Sequence, residues 1–178
     1  MTVLFPEATK AQGNISVTIV QTITSTAAPS LATEINAVSS VNVSCFLLGD
    51  FAVTATTNKG EAPRRNCTTQ VLQEFGNTTY EVADLQYVYD PQAGATNENK
   101  AKDALVEGTE VYMVERLGLL AGGDTPTAYA AAQKVNIYKI RLGPQNRTKT
   151  GDGEFDQLSI TQSAVLVAPP VYDVAIAA

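Results

Sequence analysis

The sequence contains no histidine and no tryptophan. Without an imidazole, every Ser-His and Cys-His nucleophile pair is excluded, as is every histidine-ligated metal centre. An enzyme built on this chain would have to work through carboxylates, lysine, tyrosine or cysteine. Charge is scarce too: Asp, Glu, Lys and Arg make up 17% of the residues. Thr, Asn, Gln and Ala must therefore fill much of the surface, and such neutral surface tolerates burial against a partner better than Lys and Glu do. The few charges are unbalanced, 12 basic against 18 acidic, for a net of −6. That balance argues against stable nucleic-acid binding, which needs cations to displace counterions from phosphates. No run of 18 apolar residues occurs, so no transmembrane helix and no membrane insertion are expected. The opening MTVLFPEATKAQG lacks a basic stretch followed by an apolar core, so it does not read as a secretory signal. Cys45 and Cys67 alone do not make a disulfide framework. A thiol pair or a disulfide between them stays open, and their place in strand-like segments favours two small buried side chains.

What the chain does have is a period of two. Its 178 residues fit one domain, large enough to bury roughly 70% of the surface of the unfolded chain. Residues 14–25 place Ile15, Val17, Ile19 and Ile23 on one face of a strand, and residues 41–51 do the same with Val41, Val43, Cys45 and Leu47. Between them, Pro29-Ser30 starts either a short helical turn or a surface loop. Residues 52–63 are Thr- and Gly-rich without an apolar period and read as a long exposed loop, with room for a frayed hairpin. CTTQVLQEFGNTTYEVADLQYVYD (67–90) reads as a hairpin turning at Gly76-Asn77, a pair suited to positive φ. The one good helix is expected over 97–109. Asn97 would cap it, Glu98 and Lys102 would pair, Ala101 and Leu105 would face inward, and Gly108 would end it. Strands follow at 110–118, 134–143 and 154–169, and 170–178 reads as a tail. The class is mainly β, a sandwich or partial barrel with one flanking α-helix.

Four motifs invite chemistry, and each has a plainer reading. GDGEFD sets Asp152, Glu154 and Asp156 at alternate positions, but a calcium loop carries more ligands and ends in a bidentate Glu. If this segment enters a strand, the three carboxylates share one face and meet water. AGGDTP around Asp124 lacks the Gly-Lys-Ser/Thr ending of a phosphate loop. Arg64 and Arg65 would point to opposite faces of a strand and act as separate surface charges. Asn14, Asn42, Asn66, Asn77 and Asn146 open Asn-x-Ser/Thr sequons, which a chain rich in Asn and Thr produces by chance. No catalytic, cofactor or metal site survives this weighing.

The order of segments is more telling than any one residue. APSLATEINAVSSVNVSCFLLGDF, a Thr-rich loop, RRNCTTQVLQEFGNTTYEVADLQYVYD and NENKAKDALVEGTEVYMVERLG together resemble the major tail tube proteins of long-tailed, non-contractile bacteriophages, over roughly residues 28–143. The resemblance implies a structural virion protein whose inner strands join a continuous barrel within a hexameric ring. The rings stack into a tube, assembled in the bacterial cytoplasm, through which DNA is delivered to the host. It also implies partners: copies of itself, a tape-measure protein in the lumen, and terminator and distal tail proteins at the ends. The family's long inter-ring loop corresponds to residues 50–63, with Phe51, Val53, Thr54, Thr56, Thr57, Asn58 and Lys59 as contact candidates. Residues 1–13 correspond to an N-terminal arm and 170–178 to a C-terminal tail. A conduit must not hold its duplex, so a neutral or negative lumen is expected, with Glu81, Asp84 and Glu115 as candidate wall acids. The rival reading is a secreted or cell-surface β-sandwich binding module without catalytic activity.

Overall fold

The computed structural model describes residues 8–49, 51–67, 69–93, 98–122 and 127–178. Its strands are β1 (Ile15–Val20), β2 (Val41–Asn42), β3 (Val53–Glu61), β4 (Gln73–Val82), β5 (Leu85–Val88), β6 (Glu110–Leu117), β7 (Lys134–Lys149), β8 (Leu158–Leu166) and β9 (Val171–Ala175). A π-helical turn at Leu31–Ile35 and one α-helix, α1 (Lys100–Ala104), complete the elements. With 45% of the chain in strands and 6% in helix, the fold is mainly β, a sheet curled into half a barrel with a small helix against it. Seven strands form that sheet in the order β2-β1-β6-β7-β8-β5, with β9 also on β7, and every pairing is antiparallel. β3 and β4 form a separate two-stranded sheet.

The sheet buries side chains on both faces. One alternation of β1, β6, β7 and β8 supplies Val17, Ile19, Val111, Met113, Tyr138, Ile140, Leu142 and Ile160 to the larger core. Leu85, Tyr87, Val43, Phe51 and the α1 segment residues Ala101, Ala104 and Leu105 close over it. The opposite face holds a smaller core of Val20, Ile23, Ile35, Val114, Val135, Ile137 and Ile176. Each fully buried aliphatic side chain contributes about 1.5–3 kcal/mol of transfer free energy.

β7 continues to Lys149, well past the expected end at 143, and it tolerates Pro144 because the ladder is interrupted there. Leu142 pairs with Ala164 and Gln145 with Gln162, so Gly143 and Pro144 bulge opposite Ser163. A methyl group at Gly143 would collide with the Ser163 hydroxyl and lie 3.1 Å from its carbonyl oxygen, so a side chain there would have to displace both. The bulge turns Gln145 and Gln162 toward α1. Gln145 Nε2 donates to the Lys102 and Leu105 carbonyls, and Gln162 Nε2 to those of Leu105 and Gly143.

Those bonds account for a helix shorter than expected. Five residues are far too few to be helical alone, and the sheet rather than a longer helix satisfies the terminal carbonyls. Asn97, the expected cap, lies outside the described residues. At the cap position Asn99 makes no capping bond and instead grips the Asp90 backbone through both ends of its amide. Gly108 does take a left-handed φ of 77°, just beyond the helix.

Other expectations are corrected by local competition. After Asn42, Ser44 Oγ accepts the Val17 amide at 2.8 Å, and the chain turns at Val43–Leu47 rather than continuing as a strand. It then pairs with β5 through Leu48 N–H to Gln86 and Val88 N–H to Phe46. Cys45 and Cys67 lie outside the strands; both are exposed and unpaired, not buried. Of the two readings at Pro29-Ser30, the structure takes the helical turn, capped by Ser30 Oγ accepting from Thr33 N–H. The hairpin placed at 67–90 is replaced by β3 pairing with β4. Gly76 and Asn77 sit opposite Asn58 at a register shift inside β4, and residues 62–72, with Pro63, make the connection. The segment 170–178 is not a free tail: Pro169-Pro170 separates β8 from β9, Ile176 enters the smaller core, and Ala177 bridges Ser30.

Candidate functional site

The β3–β4 hairpin is the most conspicuous surface. β3 spans nine residues, about 27 Å from end to end at about 3.3 Å per step. Every residue of both strands is exposed except Val53, Thr57 and Val82, which are half-buried. The register places Val53, Ala55, Thr57 and Lys59 on one face with Val82, Tyr80, Thr78 and Phe75. Thr57 and Thr78 hydroxyls bond at 2.9 Å, and Lys59 lies over the Phe75 ring. The other face carries Thr54, Thr56, Asn58, Thr79 and Glu81. The segment expected to be a loop is thus a paired ribbon, amphipathic and without cover in the single chain. Phe51 departs from the contact set: it is buried against Tyr138, with ring centroids 4.9 Å apart. Asp50 lies outside the described residues.

The main sheet offers a second surface, the part of its smaller-core face that no described residue covers. Registers place Glu110 and Tyr112 of β6, Lys139 and Arg141 of β7, and Val165 of β8 on it, with Ser163 and Thr161 in line. Glu110 bonds Arg141 and lies 3.1 Å from Lys139. Hydrogen bonds first from Arg141 and then from Lys139 hold its carboxyl below the usual range. Lys139 also lies over Tyr112, so both cations of this patch are engaged within it. Of the expected wall acids, Glu81 and Asp84 are exposed. Glu115 is not: it points into the larger core side, where Asn136 and the Tyr138 hydroxyl donate to it at 3.0 Å, so it offers no charge to a wall.

Its neighbour Arg116 escaped sequence reasoning. It is 1% exposed, and among the described residues it pairs with no carboxylate. It donates instead to the carbonyls of Thr127 and Ala128 and to Gln133 Oε1, and stacks on Tyr129. A guanidinium can spread its charge over several carbonyls in this way and staple 127–133 to β6. Nothing in VERLG signals such burial.

The chemical candidates are dispersed. Among the described residues no three His, Cys, Asp or Glu come together to hold a metal. The strand expected at 154 begins at Leu158, because Asp156 folds back to accept from Thr150 Oγ1 and the Gly153 amide, while Asp152 pairs with Lys149. Asp124 lies outside the described residues. A family model described as phage tail tube protein matches residues 3–178. Among curated proteins none matches the chain.

Proposed function

The chain belongs to the phage tail tube protein family, and from that premise we propose that its copies close into hexameric rings that stack into the tube through which DNA is delivered. The observation that carries this is the uncovered β3–β4 hairpin. A lone two-stranded ribbon is marginal in water, so its order is completed by a surface on another copy, in the next ring. The half-barrel supports ring closure: a curled sheet that stops halfway is continued by its neighbours, which removes the exposed edges. The uncovered face of the sheet lines the lumen with Ser, Thr and a self-paired charge cluster. Glu81 and Asp84, both exposed near the hairpin base, are the further acids this reading assigns to the wall. Such a wall gives the phosphates few free cations, and the duplex passes without being held. A tape-measure protein occupies the lumen during assembly in the host cytoplasm, and terminator and distal tail proteins cap the ends.

Excision tests the reading. Val53 and Val82 are paired, so residues 54–81 can be replaced by a two-residue turn without stretching the fold. The excised protein is expected to keep its circular dichroism and to form no tubes under negative stain. Normal tubes from it would remove the hairpin's role. A parent protein that stays monomeric at every concentration would overturn the assembly reading itself.

A further inference from the structure

The β3–β4 ribbon continues a ladder that begins within the main sheet. Leu47 bridges Tyr87, the Ala83 amide donates to the Ala52 carbonyl, and Val53 pairs with Val82. Tyr87 is level with Ile160 and Arg147, so the root of this ladder lies beside the turn that joins β7 to β8. From Val88 to Leu85 the partners of β5 run from Ser159 to Gln162, away from that turn, and β4 precedes β5. The ribbon therefore leaves the sheet on the side away from the turn. At its far end the Ala62 amide donates to the Leu72 carbonyl.

That far end carries cations without partners. The connection 62–72 holds Arg64 and Arg65 and no acid, while Glu61 and Glu74 stay within the ladder, one on each face. Both arginines are exposed, and they lie beyond β3 rather than on the two faces of a strand. The other three arginines are engaged: Arg116 with carbonyls, Arg141 with Glu110, and Arg147 against Tyr89. Among the described residues Arg64 and Arg65 form no ion pair and lie over no ring.

The β7–β8 turn offers the converse. Thr150 N–H donates to the Gln157 carbonyl, Gln157 N–H to Thr150 Oγ1, and Asp156 accepts from Thr150 Oγ1 and the Gly153 amide. This pinned turn holds Phe155 90% exposed, beside a Glu154 that pairs with no cation among the described residues. A guanidinium seats on an aromatic face and is bonded by a carboxylate next to it. On a turn already fixed, little conformational entropy is left to lose on docking. The exposure of both surfaces means that they do not meet within one chain.

We infer that the Arg64–Arg65 tip of one copy seats on Phe155 and Glu154 of a copy in the next ring. The inference rests on the stacking reading and names the surface on which the hairpin lands. A contact between two different surfaces of the same chain is heterologous and does not close on itself, so it propagates along an axis.

Cys67, two residues from Arg65, provides the test. Tubes of a Cys45→Ser, Gln157→Cys protein, which keeps both arginines, Glu154 and Phe155, are treated with a short bis-maleimide and run on a denaturing gel. A ladder of covalent oligomers that runs past the hexamer and disappears on Cys67→Ser is expected. Tubes that assemble but run as monomer would overturn the inference while leaving stacking intact. So would a ladder that stops at six, which would place the contact between neighbours in one ring. Arg64→Glu with Arg65→Glu is expected to keep the folded subunit and to raise the concentration needed for tubes at least about tenfold, as for loss of hot-spot arginines. Adding Glu154→Lys is expected to recover most of that loss. Unchanged tube formation by the arginine variant, or no recovery on charge reversal, would also overturn the inference. Absence of tubes from the parent protein would overturn both readings.

Discussion

Gln162 is fully buried between the sheet and the α1 segment, and replacing it with leucine isolates the worth of its hydrogen bonds. Its Oε1 accepts from the Tyr87 hydroxyl at 3.0 Å, and its Nε2 donates to the carbonyls of Gly143 at 2.8 Å and Leu105 at 3.1 Å. Leucine nearly fills the same volume, so the loss comes from stranded polar groups rather than a cavity. The Leu105 carbonyl keeps its bond from Gln145 at 2.8 Å. Two groups lose this partner: the Tyr87 hydroxyl, on a residue with no exposed surface, and the Gly143 carbonyl. At about 1–3 kcal/mol for the buried Tyr87 hydroxyl left unpaired, and less for the carbonyl of half-buried Gly143, Gln162→Leu should cost about 1–4 kcal/mol, a sizeable share of a typical domain's stability. Tyr87→Phe strands only Gln162 Oε1 and should cost about 1–2 kcal/mol. In the double variant both members of that pair are gone, so the two costs should fall short of additivity by about 1–2 kcal/mol. Urea unfolding of the unassembled subunit measures all three, since tubes would add stabilisation by mass action. Additive costs, or a loss below about 1 kcal/mol for Gln162→Leu, would refute the account of how the sheet holds the α1 segment.

Arg116→Lys keeps the charge but loses the planar fork that reaches Thr127, Ala128 and Gln133. Amides over 127–133 should exchange faster with solvent, and unchanged protection there would contradict the staple. The Asp156 carboxyl sits below the ordinary aspartate value of 3.8 because the Gly153 amide, and then the Thr150 hydroxyl, bond its charged form. A depressed folded pKa means that the turn's stabilisation is complete above that ordinary value and fades as pH falls through the lower one. An NMR titration placing Asp156 at or above 3.8 would be the contrary result. Cys45→Ser with Cys67→Ser should fold and assemble normally, and mass spectrometry of alkylated tubes should find both native thiols reduced; a quantitative disulfide would contradict this. Glu110→Gln releases Lys139 and Arg141, so tubes of that variant should retain duplex DNA at low salt where the parent does not. Equal retention by the two would count against the self-neutralised wall.

The parts of the fold that were legible in the sequence are those where alternation alone decides the outcome. In β1, β6 and the first half of β7, apolar side chains are spaced at two and flanked by turn residues, and strands form there. The misreadings share a cause: a partner distant in sequence outweighed a local signal. Gly76-Asn77 carries turn chemistry, but Thr78 and Tyr80 find partners in β3, and the pair is absorbed as a bulge. Val43 to Leu47 alternates like a strand, yet the Ser44 hydroxyl takes the bond that would have extended β2. Pro144 would ordinarily end a strand, and β7 passes through it because Gly143 lets the backbone approach Ser163. The surfaces were less legible than the core. The Thr-rich composition of 52–63 marks exposure but not pairing, and Gly-Asp-Gly marks a turn without showing that Asp156 would rigidify it beneath a bare phenylalanine.

The segment 174–177 has a consequence in time as well as in space. Ile176 completes a core begun by Val20 and Ile23, and Ala177 pairs with the segment 29–31, so segments far apart in sequence are stitched together. Contacts of such sequence separation cannot form until synthesis reaches them, and ribosomes add only about 5–20 residues per second. A nascent chain therefore exposes the hairpin, an unpaired β7 edge and an open small core for seconds before it can close. The smaller core therefore closes only after residues 174–177 have been synthesised, so its packing follows the making of every strand that contributes to it.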